Sequence, residues 1–185
     1  MIELSTSSPF KILQEYERRI LQRNVALPSR EEVRDKWAGI AFHLGKQRFV
    51  VAMSEIAEIL EQPSYARVPR TQSWFVGIAN IRGALLPISD LNGFFYGTNL
   101  VNRASSRVLM FNKKNLRVGV KVENVLGLKH FYMEEKIKTL PPLEKSIAPF
   151  VHSMFKRLDE EWLVLSLRDL VASEAFLQVT KQQAS

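Results

Sequence analysis

The chain has 185 residues, of which 46% are hydrophobic and none is cysteine. This length and apolar content suffice for a buried core, and they exclude a disulfide scaffold, thiol catalysis and a cysteine-ligated metal. The chain has 26 Lys and Arg against 19 Asp and Glu, a formal charge of +7, which suggests nucleic acid, anionic lipid or acidic proteins as partners. The basic residues are scattered along the chain, and this favours a solvated surface instead.

The first 36 residues are predicted to form a helical extension. A Ser-Pro start followed by apolar residues at helical spacing predicts a helix over residues 8–24, and a capping box predicts a second short helix over residues 29–36. The first helix either packs on the rest of the chain, which we favour, or offers its apolar stripe to a partner. The N-terminus lacks the features of a signal peptide, and no apolar run approaches the ~20 residues that span a bilayer, so we expect a soluble protein.

From residue 37 onward the hydrophobic period changes to two. Alternating residues predict a half-buried strand over 37–44, a turn at 45–47 and a returning strand over 49–53. Later strands are expected near residues 78–81, 85–88, 108–111, 116–120, 150–158 and 162–167, with short helices at 91–96 and 167–177. Residues 97–106 have the composition of a linker, and residues 178–185 that of a flexible tail.

Residues 77–91, which read GIANIRGALLPISDL, are the most informative stretch of the chain. Two apolar runs flank a turn that contains Arg82 and Gly83, where glycine enters positive φ without steric cost. Pro87 lies inside the second run and predicts an edge strand or a bulge. Asp90 precedes the short helix and is expected to cap its first turn rather than to act as a catalytic acid.

The two halves of the β region repeat the same order of elements. Residues 48–56 parallel residues 117–125 at an offset of 69, and Leu91 parallels Leu167 at an offset of 76, so the second half has about seven extra residues in its long loop. Short strands with turn signals in a repeated order predict two small β-barrels. At the offset of 76, the Asn-x-Arg-Gly element is replaced by a stretch with Lys156, Leu158 and Asp159.

One signature in residues 80–91 is specific to a family, and six residues match it in register: Asn80, Arg82, Gly83, Pro87, Asp90 and Leu91. The string resembles the CheW-like family, bacterial adaptors that couple chemoreceptors to a histidine kinase. The resemblance covers roughly residues 37–177 and weakens in the second half, where Ser153 replaces a family glycine and Ser166 a family aspartate. The extension at residues 1–36 is similar to that of the subclass that controls type IV pili and twitching motility.

The resemblance implies a mainly β fold with N- and C-terminal helices. Two five-stranded SH3-like barrels, at about residues 37–96 and 107–170, would share a hydrophobic core. The implied role is a non-enzymatic adaptor that binds a methyl-accepting chemoreceptor and a CheA-like histidine kinase. It would work in the cytoplasm at membrane-associated receptor arrays, without inserting into the membrane.

The resemblance also implies two binding surfaces. The receptor groove would use Ile56, Glu58, Asn80, Ile81, Arg82, Val125 and Leu126. The kinase face would use Phe75, Val76, Leu85 and Leu86, for which burial in the core is the alternative. Within the groove, we hypothesise that Glu58 and Arg82 form an ion pair that fixes the turn, since an arginine fork can orient an acidic group.

No catalytic motif is present. The chain lacks Gly-x-Ser-x-Gly, the phosphate-binding Gly-x-x-x-x-Gly-Lys and His-Glu-x-x-His, and its three histidines are far apart in sequence, so we expect no enzyme activity, no metal and no cofactor. The competing interpretation is a small nucleic-acid-binding barrel that stacks bases on residues 94–96 and 131–132. Core packing of those aromatic residues is the alternative that we favour, and we expect no nucleic-acid partner.

Overall fold

The computed structural model describes residues 9–22, 35–101, 104–113, 116–157 and 159–180. The chain divides into two units, residues 1–34 and residues 35–185. In the first unit, helix α1 spans Pro9–Gln22, in agreement with the predicted helix. The predicted second helix lies largely outside the described residues, and Lys36 at its end begins a strand instead. Within the described residues, no helix is long and apolar enough to span a membrane.

The second unit consists mainly of strands joined by short turns. Its strands are β1 (Lys36–Leu44), β2 (Gln47–Ala52), β3 (Glu58–Leu60), β4 (Tyr65–Ala66), β5 (Phe75–Ile81), β6 (Ala84–Asp90), β7 (Arg107–Lys113), β8 (Leu116–Val122), β9 (Asn124–Tyr132), β10 (Lys136–Ile137), β11 (Val151–Arg157) and β12 (Glu160–Leu165). Its helices are α2 (Leu91–Tyr96), α3 (Leu167–Ala172) and α4 (Glu174–Leu177). Single 3₁₀ turns cover Met53–Glu55, Met133–Glu135 and Ala148–Phe150.

The strands form two six-stranded sheets. Sheet A has the order β10-β11-β12-β2-β1-β9, and sheet B has the order β3-β7-β8-β6-β5-β4. Neighbouring strands are antiparallel except in two pairs, β12 with β2 and β6 with β8, which are parallel. The predicted mainly β fold with short helices is confirmed. Each sheet counts six strands rather than five, and two-residue strands, β10 and β4, form one edge of each.

The two sheets are the same arrangement built twice from exchanged hairpins. At the offsets found in the sequence, β1 to β6 correspond to β7 to β12, and the two sheets then have identical strand order. The first hairpin of each half pairs with the last hairpin of the other half. The register is conserved as well, because the pair Val50–Val164 in sheet A corresponds to the pair Gly119–Ile88 in sheet B. The sequence segments 37–96 and 107–170, predicted as subdomains, therefore do not coincide with the sheets, since each sheet takes strands from both.

The hydrophobic core has a shared part and one smaller part in each sheet. The shared cluster includes Phe42, Phe49, Leu109 and Val120 and takes residues from both sheets. Smaller clusters lie on the other face of each sheet, one around Phe131, Phe155 and Trp162, the other around Leu86, Ile88 and Met110. Strand β1 is thus buried on both faces rather than half-buried as its alternation predicted, because Ala41 faces one cluster and Phe42 the other.

Three further predictions need correction. Strand β6 is not an edge strand, since it lies between β5 and β8. The predicted alternative, a bulge, agrees with the shift in the β5–β6 register between Phe75 and Gly77, next to Pro87. Pro87 has no N–H to donate, and the ladder with β8 begins one residue later. The C-terminal helix is interrupted at Ser173, whose hydroxyl accepts from Phe176 N at the start of α4. Residues 178–180, predicted as the start of the tail, are held instead by the bond from Gln72 N to Val179 O.

Candidate functional site

The tip of the β5–β6 hairpin is a two-residue turn with an unusual backbone. Ile81 pairs with Ala84, and between them Arg82 has φ 53° and Gly83 has φ 82°. Two consecutive residues at positive φ define a type I′ turn, which matches the natural twist of an antiparallel hairpin. The side-chain oxygen Oδ1 of Asn80 accepts a hydrogen bond from Gly83 N at 2.9 Å. Asn80 therefore stabilises the turn, in addition to any role in recognition.

Arg82 and Glu58 form the predicted ion pair. Arg82 Nη2 lies 2.7 Å from Glu58 Oε1, and Glu58 is on the edge strand β3. The arginine side chain is 78% exposed, so the pair contributes only ~0–1 kcal/mol to folding stability. The effect of the pair is geometric, because the contact holds the guanidinium of Arg82 in one orientation while its other N–H groups face solvent.

The residues predicted for a kinase face divide into surface and core. Leu85 lies opposite Asn80 in the hairpin and is 69% exposed. Leu86 is fully buried in the sheet B cluster and is a core residue. Phe75 and Val76 are half-buried, and Val76 packs against the same cluster. Of this set, Leu85 alone is a strongly exposed apolar side chain.

The residues predicted for a receptor groove come from both sheets. Asn80, Arg82 and Glu58 meet at the hairpin tip of sheet B, beside half-buried Ile81. Ile56 is half-buried against the shared core. Val125 and Leu126 belong to β9, at the edge of sheet A, where Val125 packs on the shared core and Leu126 is 38% exposed. The structure thus brings together the polar part of the predicted set.

Asp90 caps helix α2, as predicted. Its Oδ1 accepts from Gly93 N at 3.0 Å and its Oδ2 accepts from Leu100 N at 2.9 Å. Burial raises the pKa of this carboxyl, although the two backbone N–H groups and the ammonium of Lys121 act in the opposite direction. Lys121 Nζ lies 3.7 Å from Oδ2, and both side chains are buried. The sequence analysis missed Lys121, because a lysine between two strand valines is typical of a solvent-facing position. The available signal was the comparison of the two repeats, since the position 69 residues earlier is a small apolar residue, Ala52.

The histidines and the predicted base-stacking residues of the described chain lie apart from the hairpin tip. In the described part of the chain, no three His, Cys, Asp or Glu side chains are grouped to hold a metal. His152 Nε2 lies 2.7 Å from Asp169 Oδ2, and this hydrogen bond lowers the pKa of Asp169. Phe95 and Phe131, named as possible base-stacking platforms, are buried in the core.

Residues 38–175 match the CheW-like domain family. The chain belongs to the CheW-like family. It is 38% identical over 173 residues to Protein PilI of Pseudomonas aeruginosa, covering 93% of this chain and 96% of that protein. It is 24% identical over 136 residues to Chemotaxis protein CheW of Klebsiella aerogenes, covering 73% and 81% of the two chains. Its structure matches the crystal structure of the scaffolding protein TtCheW from Thermoanaerobacter tengcongensis with a TM-score of 0.67 at 20% identity, covering 76% and 96%.

Membership of the CheW-like family agrees with the character of the site. Family members are non-catalytic scaffolds, and the hairpin tip offers an oriented charge, a turn and an exposed leucine. Such a surface can recognise a partner by contact. The protein is accordingly a CheW-like scaffold of chemotaxis-type signalling.

Proposed function

We propose that this protein is a non-enzymatic adaptor that joins a methyl-accepting chemoreceptor to a CheA-like histidine kinase, in a pathway that controls type IV pili and twitching motility. One observation carries the proposal: the match to PilI covers 93% of the chain, a span longer than residues 35–185, so it includes part of the N-terminal extension. The proposed place of action is the cytoplasmic side of a membrane-associated receptor array.

The proposed mechanism is coupling through contact free energies. An adaptor that binds receptor and kinase together lets the state of one partner change the activity of the other by about 1–3 kcal/mol. The hairpin tip suits the receptor contact, because Glu58 holds the guanidinium of Arg82 in one orientation toward solvent. Leu85, on the same hairpin, is the exposed apolar candidate for the kinase contact.

The duplicated fold supplies a matched control for the role of Arg82. Arg157 ends β11, the strand equivalent to β5, and its Nε pairs with Glu135 Oε1 at 2.9 Å. Its side chain is 43% exposed, so it is also an accessible arginine in an ion pair beside a hairpin turn. Arg157→Glu therefore makes the same charge change as Arg82→Glu at the equivalent hairpin of the other sheet.

The experiment reconstitutes the chain with the CheA-like kinase and a chemoreceptor from the same organism and measures co-assembly. We expect Arg82→Glu to abolish receptor binding while its circular dichroism spectrum stays native, and Arg157→Glu to bind normally. A Glu58→Arg, Arg82→Glu double variant restores the ion pair with reversed polarity, and we expect it to remain defective. Normal assembly by Arg82→Glu would show that the hairpin tip is not the contact. Recovery of nucleic acid instead of either protein would favour the competing interpretation.

A further inference from the structure

A cleft of about 430 Å³ opens beside strand β4, at the edge of sheet B. Tyr65 and Phe75 contribute aromatic wall, and the exposed Arg67 stands at the rim. The buried ion pair of Asp90 and Lys121 lines the inner end. Small-molecule sites in proteins have volumes of about 300–1,000 Å³. The cleft has a volume in this range, and its mostly polar lining includes two aromatic side chains and three charged groups.

The other repeat shows that the fold does not require the buried charges. At the offsets between the two halves, Ser166 corresponds to Asp90 and Ala52 corresponds to Lys121. Ser166 caps α3 by accepting from Asp169 N at 3.2 Å, just as Asp90 caps α2. A neutral hydroxyl therefore performs the capping in one repeat, and capping does not account for an ion pair in the other.

The corresponding connection of the other repeat, between β10 and β11, is longer and contributes to the core. Its residue Ile147 is fully buried in the shared cluster, whereas Thr71 in the shorter connection lines the cleft. The longer loop of the second half supplies this side chain, together with Leu140 and Leu143. Where that loop places apolar side chains on the core, the shorter connection between β4 and β5 leaves an open cleft lined by charge.

The charges around the cleft favour an anionic ligand. Replacing a buried ion pair by apolar residues is often neutral or stabilising, so stability alone does not explain the pair. Asp90 is compensated by Lys121 and by two backbone N–H groups. Arg67 adds a second cation at the rim, and a guanidinium binds a carboxylate or a phosphate through paired hydrogen bonds.

We propose that this cleft binds a small organic anion, with its anionic group at Arg67 and its flat apolar body along Tyr65 and Phe75. The site is independent of the hairpin tip and goes beyond the proposed adaptor function. Binding here would give the scaffold an input from a soluble metabolite in addition to its protein partners.

The test is an amide ¹⁵N–¹H titration of the full chain with benzoate, phenyl phosphate and the neutral isostere benzamide. We expect saturable shifts at the cleft residues Thr71, Ser73 and Val76 with at least one anion, and much weaker shifts with benzamide. Arg67→Gln should weaken the anion about tenfold, because it removes a charge-assisted hydrogen bond. Arg70→Gln, three residues away and outside the lining, should leave the affinity unchanged.

A second variant tests the cleft itself rather than its charge. Thr71→Ile places a larger apolar side chain in the cleft, and it should abolish the shifts while the rest of the spectrum stays native. Absence of saturable shifts with both anions would overturn the proposal, as would equal binding of benzamide or unchanged binding by Arg67→Gln. A preference for benzoate or for phenyl phosphate would identify the anionic group.

Discussion

Replacing Lys121 by Met should lower the free energy of unfolding by about 3–4 kcal/mol at neutral pH. The substitution conserves most of the buried volume and leaves the carboxylate of Asp90 without its cation. At 3.7 Å and an effective dielectric constant of about 20, the lost attraction is about 4 kcal/mol. Protonation sets a ceiling on this loss. A carboxyl with the ordinary pKa of 3.8 takes up a proton at pH 7 for about 4 kcal/mol, and the ceiling is lower here because burial already raises the pKa of Asp90. The loss therefore stays somewhat below the Coulomb figure.

The loss should depend on pH in a defined direction. Burial raises the pKa of Asp90 in the folded state, and removing Lys121 raises it further. A raised carboxyl pKa means that the folded state binds the proton more tightly than the unfolded state. The contribution to stability is therefore complete below the unfolded pKa and is lost as the pH rises through the folded pKa. The deficit of Lys121→Met should shrink by up to about 1.4 kcal/mol for each pH unit below neutral.

The assay is urea denaturation followed by circular dichroism at several pH values. The control is the double variant Asp90→Ser, Lys121→Met, which keeps a capping hydroxyl like that of Ser166. It should recover all but about 2 kcal/mol of the loss, which we assign to Leu100, whose N–H loses the carboxylate of Asp90 and whose carbonyl loses the ammonium of Lys121. A deficit that stays constant with pH, or a double variant as unstable as the single one, would refute the reasoning about a buried unpaired charge.

Three further predictions concern other parts of the fold. Gly83→Ala should lower the free energy of unfolding, measured by urea denaturation, by about 1–2 kcal/mol. The cause is the φ of +82°, since the added Cβ would meet open space and no clash. An unchanged free energy of unfolding would contradict the type I′ turn. Carboxyl NMR should find the pKa of Asp169 below its ordinary value of 3.8. The stabilisation by this carboxylate is therefore present above the unfolded-state pKa and is lost as the pH falls through the folded-state pKa. The variant His152→Ala should raise the pKa of Asp169, and an unchanged value would contradict the hydrogen bond between the two side chains. Phe176→Ala should lower the free energy of unfolding by about 3–4 kcal/mol, because Phe176 is buried. It should also alter the fluorescence of Trp74, whose ring stacks on the Phe176 ring at a centroid distance of 5.5 Å, and a native emission spectrum would exclude that stack.

Local signals predicted the local structure well. The hairpin of residues 77–91 has its turn at Arg82 and Gly83, and Asp90 caps a helix that spans Leu91–Tyr96. Each of these features depends on residues close in sequence, through positive φ, a side-chain cap or an alternating pattern. The pair of Glu58 and Arg82 spans a longer distance, and its prediction required the family resemblance.

The exchange of hairpins could not be predicted in the same way. Strand β2 pairs with β12, more than 100 residues away, and its pattern of apolar residues fits a partner from either half equally well. Because the two halves are similar, the same register satisfies pairing within a half and pairing between halves. Side-chain periodicity specifies which face of a strand is buried, and it does not specify which copy of the partner strand lies beside it.

The duplicated fold offers an internal comparison that separates residues needed for folding from residues available for function. Features present in both repeats serve the architecture. One is the capped helix after the last strand. Another is the bond from Asp90 N to Trp74 O, which recurs in the other repeat from Ser166 N to Phe150 O. Features present in one repeat need another explanation. The Asn-x-Arg-Gly tip and the pair of Asp90 and Lys121 both belong to sheet B, while the equivalent positions of sheet A lack them. Since the shared architecture forms without these residues, sheet B is where we expect partner and ligand recognition to lie.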